Sequence, residues 1–198
     1  VLELAEKKGI IVDEEGFKKE MENHQEVSKQ GSEKKFKGGL ADHSTETIWG
    51  HTGTHLLQAG LRKVLGDHVL QKGSNITQDR LRFDFNHPEK MTPEQKQEVE
   101  DFVNNAIQRN LDMKREVMSV EEAKETNTIG LFDDTYAQIG NKVSVYSAVD
   151  PNSGEILSRE ICGGPHVPDT SEMGHFKIKK EESIGSGTRR IKAIVSPR

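Results

Sequence analysis

"KVSVYSAVDPNSGEILSREIC", residues 142–162, decides the fold. Each end alternates apolar and polar residues, and Asp150-Pro151-Asn152-Ser153-Gly154 between them is a turn signal, so the stretch reads as two strands joined by a reversal. Two more strand-like runs follow, "HFKIKK" at 175–180 and "TRRIKAIV" at 188–195, set off by Gly-Gly-Pro and Gly-Ser-Gly. A strand-rich C-terminal third therefore starts near residue 142.

Upstream the period changes from two to 3.6. A helix is predicted from roughly Glu46 to Leu65, with Leu57, Leu61, Val64 and Leu65 on one stripe and Gly66 as its stop. "RLRFDFN" (80–86) turns Leu81, Phe83 and Phe85 inward as a half-buried strand. In "MTPEQKQEVEDFVNNAIQRNL" (91–111), Thr92 is an N-cap, Pro93 suits the first helical position and Gln95 completes a capping box. Val99, Phe102, Val103, Ala106 and Ile107 then form an amphipathic stripe. A shorter helix follows in "SVEEAKE" (119–125), where Ser119 and Glu122 make a second capping box. Helices early and strands late predict an α+β fold, a mainly antiparallel sheet packed with helices.

Residues 13–28 read as a short charged helix with Asp13 as N-cap, and the glycine-, serine- and lysine-rich stretch after it as a linker. The expected organisation is an N-terminal helical segment and linker over residues 1–45 and a main domain over 46–198. The chain opens on Val1 in "VLELAEKKG", which reads as the interior of a longer protein.

The strand ending at Cys162 runs into "CGGPH", placing Cys162 and His166 four residues apart behind Gly163 and Gly164. His51 and His55 in "HTGTH" are also four apart, one helical turn, and so share a face. If the two stretches meet, three imidazoles and one thiolate form a set suited to Zn²⁺ by softness and number. The same residues are compatible with a plainer reading, Cys162 as a small buried hydrophobe and His55 or His166 as a hydrogen-bonded core residue. His24, His43, His68 and His87 lack matched spacing and read as surface or turn residues; His175 reads as a strand residue.

The 198 residues carry 32% hydrophobic and 31% charged residues, enough for a core with a polar surface. The single cysteine excludes an internal disulfide and fits a reducing compartment. No apolar run approaches the ~18 residues of a membrane span and no signal peptide is evident, so the expectation is a cytoplasmic protein with no membrane partner. A net charge of -5 argues against a globally basic nucleic-acid wrapper. Its distribution is uneven. From Lys177 to Arg198 seven basic residues face two acidic ones, either a solvated strand face or a phosphate-contacting patch built on Lys177, Lys179, Arg189 and Arg190.

"HTGTHLLQAGLRKVLGDHVLQKGS", "LRFDF", "NLDMKREVMSVEEAKE", "GLFDDTY", "EICGGPHV" and "SIGSGTRRIKAIV" occur in this order over about residues 46–195. Together they resemble the editing (second additional) domain of alanyl-tRNA synthetases, shared with free-standing AlaX-type proteins and more distantly with threonyl-tRNA synthetases. The resemblance implies a zinc-dependent deacylase that removes serine or glycine from mischarged tRNA(Ala), within a ligase whose charging domain lies outside this chain; the alternatives are a free-standing trans-editing protein and a non-catalytic zinc-stapled tRNA-binding module. It implies His51, His55, Cys162 and His166 as metal ligands, Gln71 and Thr54 as amino-acid pocket residues with a catalytic role, and Gly163, Gly164 and Pro165 as the turn facing metal and substrate. The implied partners are the acceptor end of tRNA(Ala) and the remainder of the synthetase. Two departures stand out: Pro165 where the family usually has Thr, and Gly53 in place of a common alanine.

Overall fold

In a computed structural model, residues 13, 16, 40–130 and 142–197 are described. Residues 37–198 make one compact unit and residues 1–36 another. Most of the helix expected over 13–28 lies outside the described residues; the Asp13 carboxylate accepts a hydrogen bond from the Gly16 N–H at 2.9 Å, the contact an N-cap makes.

The compact unit already includes Leu40, which the sequence assigns to a linker. Leu40 is buried and bridges Ile76, and the Ala41 N–H donates to the Ile76 carbonyl. The Asp42 carboxylate next accepts from both the backbone and the hydroxyl of Ser44, and the Ser44 hydroxyl caps the first helix through the Thr47 N–H. That helix, α1, spans Thr45–Leu65 and stops at Gly66 with φ +114°, a conformation open to glycine.

Strands β1 (Gln71–Ile76) and β2 (Leu81–Asn86) follow, then α2 (Pro93–Gln108), β3 (Asp112–Ser119) and α3 (Val120–Glu125). After residues 131–141 come β4 (Lys142–Val149), β5 (Ile156–Ile161), a 3-10 turn at Thr170–Glu172, β6 (His175–Gly185) and β7 (Thr188–Ser196). Both capping boxes form, Thr92 with Gln95 and Ser119 with Glu122.

The strands divide into two antiparallel sheets instead of one, in the orders β1-β2-β7-β6 and β3-β4-β5. Leu81, Phe83 and Phe85 of β2 are buried as expected, paired with Ala193, Ile191 and Arg189 of β7. Helix α2 covers this sheet with Val99, Val103, Ala106 and Ile107, and Asn104 exchanges two hydrogen bonds of 2.9 Å with the backbone of Phe176 at the start of β6. That satisfies strand groups at a sheet edge.

Helix α1 packs against both sheets and α2, which is why its expected single stripe is only half of the picture. Residues 50–58 are all buried, polar ones included. Toward the four-stranded sheet the approach is close: a Cβ on Gly50 would lie 2.7 Å from the Ile76 side chain. Toward the three-stranded sheet α1 turns His51 and His55.

Candidate metal centre

Cys162 follows β5 and is pinned there, its N–H donating to the Ser144 carbonyl at 3.0 Å. The next five residues cross over α1 and are fixed at the far end, where the Val167 N–H donates to the Thr52 hydroxyl at 3.3 Å. A strand end and a helix face are thus joined, and His51, His55, Cys162 and His166 converge with ligand atoms within 4.8 Å of one another.

Two of the three imidazoles have a hydrogen-bond partner behind the ring that turns the other nitrogen inward. His51 Nδ1 donates to the Pro165 carbonyl at 2.8 Å, leaving Nε2 as the atom 3.3 Å from Cys162 Sγ. His166 Nδ1 meets the Thr52 hydroxyl at 3.1 Å, and its buried Nε2 has no hydrogen-bond partner. His55 Nδ1 is buried without a hydrogen bond, 3.8 Å from the Glu160 carboxyl, which accepts from the Ser158 hydroxyl at 3.1 Å. The Gly164 N–H points at Cys162 Sγ at 3.5 Å. The His166 ring stacks on His51 at 4.1 Å and meets Tyr146 at 4.3 Å. A carbonyl and a hydroxyl bonded behind His51 and His166 fix tautomer and ring direction.

Burial sets the charge states. It lowers the pKa of His51, against the opposing Pro165 bond, and of His55 and His166, where the neighbouring imidazoles add to it. It pushes the Cys162 thiol up to about 11 and the Glu160 carboxyl up to about 8. Three neutral imidazoles with inward lone pairs beside a thiol form an acceptor-rich hollow, which a cation relieves while converting the thiol to thiolate. Three nitrogens and one sulfur are compatible with zinc.

Glu160 also borders a cavity of about 220 Å³ whose lining includes Gln58, Leu70, Gln71, Gly73 and Gly130. Gln71, at the start of β1, is brought to this cavity; its amide donates to the Ser74 hydroxyl at 3.3 Å. Thr54 is not in the lining. It is buried in α1, and its hydroxyl donates to the Gly50 carbonyl at 2.8 Å.

The two glycines of the turn differ. A Cβ on Gly164 would stand 2.6 Å from His51 Cε1, whereas one on Gly163 would meet nothing within 4 Å. Pro165, which lacks an N–H, contributes its carbonyl to His51.

The basic C-terminal strands are largely self-neutralised. Lys177 pairs with buried Glu100 at 2.6 Å, Arg189 with buried Glu181, and Arg190 grips Asp84 with two bonds of 2.7 and 2.8 Å. Lys180 and Lys192 both reach Glu182. Lys179 is in none of the ion pairs of this segment among the described residues.

Sequence reasoning missed Thr52, Tyr146, Ser158 and Glu160. One signal was available: Ser158, Glu160 and Cys162 alternate along a strand, so all three face the same side, and polar residues on an inward face invite a site.

Residues 138–192 match the family described as the threonyl and alanyl tRNA synthetase second additional domain. The chain is 52% identical over 193 residues to an alanine–tRNA ligase of Treponema denticola, a match covering 98% of this chain and 31% of that protein. An alanine–tRNA ligase of Borrelia hermsii is 51% identical with the same coverage. One from Leptospira interrogans is 44% identical over 147 residues, covering 74% of this chain and 14% of that protein. The chain thus spans about a third of the length of the first two relatives.

Proposed function

The chain carries an alanyl-tRNA synthetase editing-type domain, and from that premise we propose that it hydrolyses the ester joining a wrong amino acid, serine or glycine, to tRNA(Ala) at a zinc ion. In this reading residues 46–198 are the editing domain, residues 1–45 lead into it, and the charging activity of the ligase belongs to other sequence. The carrying observation is the convergence of His51, His55, Cys162 and His166 beside a 220 Å³ cavity bordered by Gln71.

His51, His55 and His166 would ligate through the nitrogens turned inward, with Cys162 as thiolate. Once bound, zinc supplies Lewis acidity and fixed positive charge in a site partly shielded from water. The Pro165 carbonyl and the Thr52 hydroxyl keep His51 and His166 aimed, and the Glu160 carboxyl is the group nearest His55 Nδ1. Gln71 is the substrate contact, its amide able to donate to an ester carbonyl or accept from an α-amino group. We further assign Thr54 to the amino-acid pocket, although it lies outside the cavity lining: with its proton given to Gly50, its oxygen retains acceptor capacity for a serine hydroxyl that alanine cannot match. The cavity volume suits a small side chain, and the leaving group is the 3′ oxygen of the terminal ribose.

A second reading, a zinc-stapled tRNA-binding module without turnover, draws on Pro165, which removes one backbone donor from the turn. Incubating the chain with seryl-, glycyl- and alanyl-tRNA(Ala) and with seryl-tRNA(Thr) separates the readings. Release from the first two only is expected; release from none supports the second reading, and preference for seryl-tRNA(Thr) points to threonyl-type editing.

A further inference from the structure

Gln71 is the first residue of β1, and the sheet alone does not fix it. It pairs with Phe85 while Gly73 pairs with Asp84, so Lys72 is an extra residue and the ladder is bulged immediately after Gln71. A bulge bends its strand and re-aims the side chains beside it. The direction of Gln71 is therefore set by whatever holds the residues before it, and these are held by side chains. From α1, Gln58 Nε2 donates to the Val69 carbonyl at 2.8 Å. From the end of β2, Asn86 takes both neighbours of Val69: its Nδ2 donates to the His68 carbonyl and its Oδ1 accepts from the Leu70 N–H, each at 2.7 Å. The Asn86 N–H also donates to the Leu70 carbonyl at 3.3 Å, and Arg62 adds a bond of 3.1 Å to the Val69 carbonyl. Every carbonyl from His68 to Leu70 is thus occupied.

Gln58 ties this clamp to the metal centre. It follows His51 and His55 at i+7 and i+3, so it shares their side of α1, and it borders the same cavity as Gln71. The side chain is fully buried, and its Oε1 has no hydrogen-bond partner. One bond made and one buried oxygen left stranded nearly cancel in stability, so what the carboxamide supplies is position. A two-residue step from Val69 then carries that position to Gln71.

We propose that Gln58 and Asn86 are positioning residues for Gln71: they fix the main chain at Val69 and Leu70, and so present the Gln71 amide to the cavity in register with the helix that carries His51 and His55. The catalytic consequence rests on the deacylase reading; amide exchange reads the clamp without it, so the two can fail separately.

Single-turnover release of serine from seryl-tRNA(Ala), zinc content and amide hydrogen exchange over residues 69–71 are measured for Gln58→Leu, Asn86→Ala and Asn86→Asp, each with Gln71 intact and in a Gln71→Ala background. With Gln71 intact, release by Gln58→Leu and Asn86→Ala is expected to fall about 10-fold, less than the ~100-fold that a misplacement of about 1 Å can cost. In the Gln71→Ala background neither change should lower release further, the non-additivity of residues that act through one another. Zinc should stay bound while exchange quickens. Asn86→Asp keeps the acceptor for the Leu70 N–H and should lose less than Asn86→Ala, which gives a reading even if Gln58→Leu folds poorly. Wild-type release in the variants, or equal losses in both backgrounds, overturns the proposal. If the wild-type chain releases no serine, the deacylase reading fails and exchange alone decides: quickened exchange upholds the clamp, and unchanged exchange overturns it.

Discussion

At the scale of single residues, the proposed metal site depends on groups outside its four candidate ligands. Thr52 links His166 Nδ1 to the Val167 backbone, so Thr52→Val keeps the volume and removes both contacts. Loss of such an outer partner commonly weakens metal binding 10–100-fold. Competition against a chromophoric chelator should show a drop of about that size, with serine release recovering in excess zinc. Gly164→Ala should likewise weaken zinc, because its Cβ would collide with the His51 ring, while Gly163→Ala, in open space, should bind zinc as the wild type does. Equal behaviour of the two alanine variants would refute the close-approach account. Thr54→Val tests substrate choice: release from seryl-tRNA(Ala) should fall relative to glycyl-tRNA(Ala), and an unchanged ratio removes Thr54 from the pocket.

At the scale of elements, the start of α1 is held by a charged cap. The Ser44 hydroxyl, then its backbone N–H, hold the Asp42 carboxyl down to about 2. A carboxyl with a depressed folded pKa stabilises the fold fully above about pH 4 and loses that contribution as pH falls toward 2. Thermal melts of Asp42→Asn should match the wild type more closely at pH 2 than at pH 6; an equal gap at both pH values contradicts the cap. Asn104→Leu, which strands the Phe176 N–H and carbonyl, should cost about 1–3 kcal/mol in chemical denaturation with zinc binding kept.

Elements also mark how much could be read from sequence. Both capping boxes, the burial of β2 and the reversal at residues 150–154 were legible because side-chain pattern and local geometry agree there. Strands β1 and β3 were not. Each is a sheet edge with little buried surface: β1 buries only Ile76 and β3 only Met113, so the alternation that reveals a half-buried strand is missing. The wrapping burial of α1 was hidden for another reason. Its second face is polar, and a helix face of His, Thr and Gln looks solvent-exposed until the strand end bearing Cys162 is placed against it.

At the scale of the molecule, two antiparallel sheets flank α1, and the site sits where that helix meets the end of β5. The pairing of His51 and His55 with Cys162 and His166 could be posed from spacing alone, but their meeting is a long-range contact between a helix and a loop more than a hundred residues apart. The basic C-terminal segment shows the converse limit: a run of cations in sequence is, in space, a set of cross-strand and helix-to-strand ion pairs. If the proposed site binds zinc, its domain-scale consequence is stability linked to metal. Stripping zinc with a chelator should lower the melting temperature, since a ligand bound only by the folded state stabilises it by mass action.

The most direct measurement pairs bound zinc with serine release from seryl-tRNA(Ala), in the wild-type chain and in Cys162→Ala. The account predicts stoichiometric zinc with release in the wild type, and loss of both in the variant. Fully zinc-bound wild-type protein that releases no serine would contradict it.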